Sequence, residues 1–131
     1  MRRFDAAGNP LAASQRINDT VAGSQTAPVL VMNPDGHCWS AWGQEGTDGV
    51  TGLFGRYFVD CSQPDVGVIQ LDDPPGTTSV RSPGISFGGD GTFTAVYVRD
   101  DSVEGDGSVV GRALTPPEPT RQSVESPWAR R

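Results

Sequence analysis

The chemistry in this 131-residue chain must come from a short list of side chains: four aromatics, one acidic loop, one histidine and two cysteines. Trp39, Trp42, Tyr57 and Tyr97, with Phe93 nearby, could form a sugar-binding groove, because aromatic faces offer an apolar platform with polar handles. The alternative for each is core packing. The loop "DDSVEGDG" (100–107) carries Asp100, Asp101, Glu104 and Asp106, and an earlier loop has Glu45 and Asp48. Calcium takes six to eight oxygens, which such a loop could supply. The spacing departs from the EF-hand pattern, and a solvated loop is the plain alternative. His37 adjoins Cys38, but adjacent strand residues point to opposite faces, so they make no catalytic dyad. An exposed strand-start histidine is expected. One His and two distant Cys are too few for a transition metal. Two facing carboxylates of a glycosidase cannot be nominated among 16 acids, and no Asp-box is present. No cofactor is called for, and the chain reads as a non-enzyme.

The elements that would hold these residues repeat. "APVLVMNPDGHCWSAW" (27–42) and "SPGISFGGDGTFTAVY" (82–97) share a plan: Pro28 and Pro83, Asp35 and Asp90, Gly36 and Gly91, Trp42 and Tyr97 all lie 55 positions apart. Period-2 alternation between turn residues predicts strands at 28–32, 37–42, 50–59 and 66–71 in the first copy. The second copy predicts strands at 84–87, 92–98 and 108–114. On the 37–42 strand, Cys38, Ser40 and Trp42 face one way, and His37, Trp39 and Ala41 the other. Arg3-Phe4-Asp5 matches the strand end at Arg56, and 11–18 matches the fourth strand. The expected fold is therefore all-β: two four-stranded antiparallel propeller-type blades, an incomplete propeller, with the N-terminal strand completing the last blade. A single β-sandwich is the alternative. The repeat region spans 1–114, with units of about 3–55 and 56–111, followed by a Pro-rich, flexible tail at 115–131. With a turn centred near Thr47, Cys38 faces a residue near Gly55. Cys61 then falls about 20 Å away at strand rise, beyond the ~7 Å a bridge allows. Two separate, partly buried thiols follow.

The bulk numbers set limits. Gly 17 and Pro 11 make 28 of 131 residues, placed as turns between apolar alternations. A net charge of −6 argues against nucleic acid and anionic membranes. No apolar run reaches the length of a membrane span. "MRRFDAAGNP" lacks the apolar core of a signal peptide. Asn18-Asp19-Thr20 is formally a glycosylation sequon.

Residues 3–58 run R-F-D-x-x-G-x-P, then Q-x-x-P, then D-G, an alternating strand ending in Trp, and a Gly/Asp loop. This resembles the roughly 50-residue propeller-type repeats of large bacterial secreted and cell-surface proteins; residues 82–114 match more loosely. Arg56-Tyr57-Phe58 and Arg112-Ala113-Leu114 depart from R-F-D, and Tyr97 replaces the Trp. The resemblance implies an extracellular or cell-surface protein associated with adhesion, sometimes beside calcium-binding repeats, and no catalytic residue. The expected partners are further copies of the chain or neighbouring repeats, with glycans as a possible ligand. The expected function is a non-catalytic structural or adhesion module. The alternative is a small carbohydrate-binding lectin that oligomerises into a closed propeller.

Overall fold

The computed structural model describes residues 1–61, 67–72, 78–88, 92–100 and 107–115. All but the first residue of the expected tail at 115–131 lie outside them, as do most residues of the acidic loop. The described chain is all-β. Strands β1 (Gln25–Met32), β2 (Cys38–Glu45), β3 (Thr51–Phe58) and β4 (Ile69–Gln70) form one antiparallel sheet in the order β1-β2-β3-β4. Strands β5 (Val80–Phe87), β6 (Phe93–Asp100) and β7 (Gly107–Leu114) form a second, in the order β5-β6-β7. The two sheets do not close on each other.

The repeat extends to the backbone. β5 and β6 begin 55 residues after β1 and β2, and β7 begins 56 after β3, so the second loop holds the one extra residue. The Glu45 N–H bonds the Ser24 carbonyl at 2.9 Å, and the Asp100 N–H bonds Ser79 at 2.9 Å. The Asn33 N–H bonds His37, and the Gly88 N–H bonds Thr92. The small residue before each proline also has a cause. Ladder register slips between Thr26 and Val29 and again between Arg81 and Gly84. Each slip is a bulge containing a non-glycine residue in the left-handed region: Ala27 (φ 50) and Ser82 (φ 53). Proline follows because it has no N–H to leave unpaired at the break. Only a small side chain is tolerated at such a φ. Ala27→Val is expected to lower stability by about 2 kcal/mol. Ala27→Gly should cost far less, and thermal melts of the two variants check this.

Two expectations are corrected. The N-terminal segment does not complete the second sheet, which has three strands among the described residues. Residues 1–11 instead fold into a small turn of their own. Asp5 Oδ1 accepts the Ala7 and Asn9 N–H groups at 2.9 and 2.8 Å, Gly8 takes φ 85, and Phe4 bridges Pro10. The side-chain bond from Asn9 holds the Asp5 carboxyl below the usual carboxylate range. The R-F-D-x-x-G-x-P stretch is thus a self-capped turn, and 11–18, the stretch matched to a fourth strand, forms no strand: the Leu11 N–H bonds the Arg3 carbonyl, the Gln15 N–H bonds that of Met1, and the Ile17 carbonyl accepts Arg56. Second, Cys38 and Cys61 form a disulfide, with Cα atoms 5.6 Å apart. The β2–β3 turn is centred near Asp48, with Glu45 opposite Thr51, so Cys38 faces Phe58. Cys61 is then three residues further on, past the bends at 59–61, with its own φ at 56.

Candidate functional site

The feature that organises the molecule is the contact between the two sheets. On sheet one, Trp39 and Ala41 of β2 and Leu53 and Tyr57 of β3 share a face with Leu71 beyond β4. This is the Trp39 face. On sheet two, Phe93, Ala95 and Tyr97 of β6 share a face with Val80, Ile85 and Val110. These two faces build one core: Trp39 is fully buried, and its ring lies 4.1 Å from that of Phe93. Tyr57 packs against Trp39 at 5.5 Å between ring centroids. Arg112 Nη1 donates to the Leu71 carbonyl at 2.8 Å, tying β7 to sheet one. The buried Asp72 accepts the Leu53 N–H at 2.9 Å and holds the chain beyond β4 against β3.

The repeat makes this contact informative. Tyr97 is the counterpart of Trp42, not of Trp39. The Phe93–Tyr97 face therefore corresponds to the Trp42 face of sheet one, which carries Cys38, Ser40 and Trp42. The sheets meet by opposite faces, the Trp42-type face of the second on the Trp39-type face of the first. A two-fold sandwich would bring like faces together. A contact between unlike faces is heterologous and leaves one face of each kind unused.

On sheet one the unused Trp42 face is covered by the N-terminal segment. Met1 and Ile17 pack on Cys38, Phe58 and Cys61. Arg56 Nη1 donates to the Ile17 carbonyl at 2.9 Å and to Asp19 Oδ1 at 3.0 Å. Trp42 is only 3% exposed, beside a cleft of about 120 Å³ that Ile17, Asn18 and Pro28 help to line. On sheet two the unused face is open: Val96 is 44% and Val109 79% exposed.

These positions decide what the aromatics do. Trp39, Tyr57 and Tyr97 lie in the core between the sheets, and Trp42 lies beneath the N-terminal segment. A sugar platform needs open ring faces, and none of the four has one in this structure. Asp100 is paired with Arg81 Nε at 2.9 Å, while Asp101, Glu104 and Asp106 lie outside the described residues. Among the described residues no group of three or more His, Cys, Asp or Glu side chains could hold a metal ion. Asp48 caps its own turn, accepting the Val50 N–H at 3.0 Å. His37 is half-buried rather than exposed: its Nδ1 lies 2.6 Å from the Tyr57 hydroxyl. Tyr57 sits opposite Trp39 on β3, two residues along from His37 on the same face, so cross-strand register and not sequence adjacency gives the histidine its partner. The bulge residues Ala27 and Ser82 had a visible signal, the small residue before proline; the covering role of residues 1–24 had none.

No family model, curated protein or solved structure matches this chain. Among the described residues no helix is long and apolar enough to cross a membrane.

Proposed function

We propose that this chain is a non-catalytic structural repeat module of an exported or cell-surface protein, built from propeller-type blades, and that its work is to stack. The observation that carries this is the contact between unlike sheet faces. Each repeat cannot bury its own faces, and stacking neighbours supplies the core. The covered Trp42 face plays the part of a terminal cap, and the open face of sheet two is where another blade would continue the array. The disulfide supports export, since such bonds persist in oxidising compartments. Adhesion is the role that the resemblance to bacterial surface repeats adds.

The test is a longer chain. Leu114 corresponds to Phe58, so a second copy of residues 59–115 placed after Leu114 should continue the array. Its Phe93–Tyr97 face would lie on the Val96 face of the middle sheet. The expected result is one cooperative unfolding transition and slower amide exchange at Thr94, Val96 and Val98 of the middle β6. Unchanged exchange there, with the added sheet melting separately, would sink the stacking reading.

A further inference from the structure

The segment that covers sheet one is bonded as sheet one itself is bonded. The Met1 amino group donates to the Gln15 carbonyl at 2.6 Å, and the Gln15 N–H donates to the Met1 carbonyl at 2.7 Å. Gly55 of β3 and Ile69 of β4 are an antiparallel pair, each 54 positions further along the chain. Arg56 Nη1 donates to the Ile17 carbonyl at 2.9 Å; its counterpart Arg112 donates from Nη1 to the Leu71 carbonyl, again 54 positions after Ile17, at 2.8 Å. The side chains agree. Ile17 packs on Cys38 and Phe58, and Leu71 lies in the core with Phe93 and Leu114, the counterparts of that pair. A Cβ at Gly55 would point at Leu71, and the Met1 side chain lies in the cluster of Ile17. The contact between unlike faces therefore occurs twice: sheet one on sheet two, and residues 1–17 on sheet one.

We infer that residues 1–4 and 15–17 are the end of the third strand and the fourth strand of a further blade, and that the outer edge of residues 1–4 docks the strands that complete it. The occupant is a sheet of this same repeat, of which the sequence of residues 78–110 is an example. Phe4 bridges Pro10 between the Asp5 N–H bond to Asn9 and the Leu11 N–H bond to Arg3, so the Phe4 N–H turns to the opposite edge. Phe4 is also 54% exposed, whereas Phe58, its counterpart flanked by β2, is fully buried. The register follows from sheet two, where Phe93, Thr94, Ala95 and Val96 of β6 face Leu114, Ala113, Arg112 and Gly111. Those four are the counterparts of Phe4, Arg3, Arg2 and Met1. A strand of β6 type beside residues 1–4 thus sets its Phe93 opposite Phe4, and the completed sheet lies on the Trp42 face as sheet one lies on sheet two.

This inference rests on the stacking reading and adds to it the partner on the N-terminal side. The test places the sequence of residues 78–110 directly before Met1 of the full chain, so that Val110 runs into Met1 as it runs into Gly111. Amide exchange at Phe4 should slow at least about tenfold against the 131-residue chain, since an edge amide becomes a ladder amide. A second extended chain carries one added serine between Val110 and Met1. That slip of one residue turns the added strands over relative to residues 1–4, and the slowing should be lost. Near-UV circular dichroism, set by the buried Trp39 and Tyr97, reports the original fold in both. Unchanged exchange at Phe4, equal slowing in the serine-bearing chain, or loss of the native near-UV signal on extension would overturn the proposal. Failure here with success of the C-terminal extension would remove this edge and leave the stacking module standing.

Discussion

Trp39→Ala is expected to cost about 3–5 kcal/mol, the range for removing a large aromatic from a packed core. Typical domain stability is about 5–15 kcal/mol, so the loss takes a large share of it. For a domain of this size the melting temperature should fall by more than about 10 °C. The reason is position. Trp39 is fully buried and touches both Phe93 across the sheets and Tyr57 along its own sheet. Trp39→Phe should cost clearly less, since the indole N–H has no hydrogen-bond partner to lose. Trp42→Ala supplies the contrast. Its ring is as well buried but lies under the N-terminal segment, so amide exchange should rise around residues 15–19 while the Trp39–Phe93 contact survives. Equal loss of the sheet-to-sheet contact in both variants would show that the faces have been assigned wrongly.

Removing the disulfide is the second large effect. Closing a loop of this length, with 23 residues of separation, stabilises by about 3 kcal/mol in the chain-entropy account. Cys38→Ser with Cys61→Ser should lose about that amount, and dithiothreitol should lower the melting temperature of the wild type but not of the double variant. The effect should be felt first by the N-terminal segment, because Met1 and Ile17 rest on the bridge and on Phe58. Thiol titration of the unreduced chain should find no free cysteine. Two titratable thiols in the folded protein would contradict the bridge, and with it the main physical support for an exported location.

Much of the fold was legible because the repeat was. Pro28 and Pro83, the Asp-Gly turns, and the alternation through Trp42 and Tyr97 gave both hairpins, and the structure adds that the hairpins share bulges and hydrogen bonds. What the residues did not disclose were quantities that depend on register and on tertiary cover. A one-residue error in the centre of the Gly46–Val50 turn moved the partner of Cys38 and hid the disulfide, since register shifts change every pairing along a strand. The N-terminal match to a fourth strand was one of pattern. Leu11 and Gln15 instead bond back to Arg3 and Met1, and Ile17 packs on Cys38 and Phe58 of the first sheet. The aromatics were recognisable as important, but alternation alone does not say which of two faces meets a neighbour. That required knowing that Phe93, and not a residue of the Trp39 type, lies on Trp39.

Whether unlike faces meet can be read from nuclear Overhauser contacts of the two indole rings in solution. Contacts are expected from Trp39 to Phe93 and to Tyr57, and from Trp42 to residues 17–18 and 28, with none from Trp42 to β6. Contacts from Trp42 to Phe93 or Tyr97 would put like faces together. They would make the molecule a two-fold sandwich rather than two steps of an array.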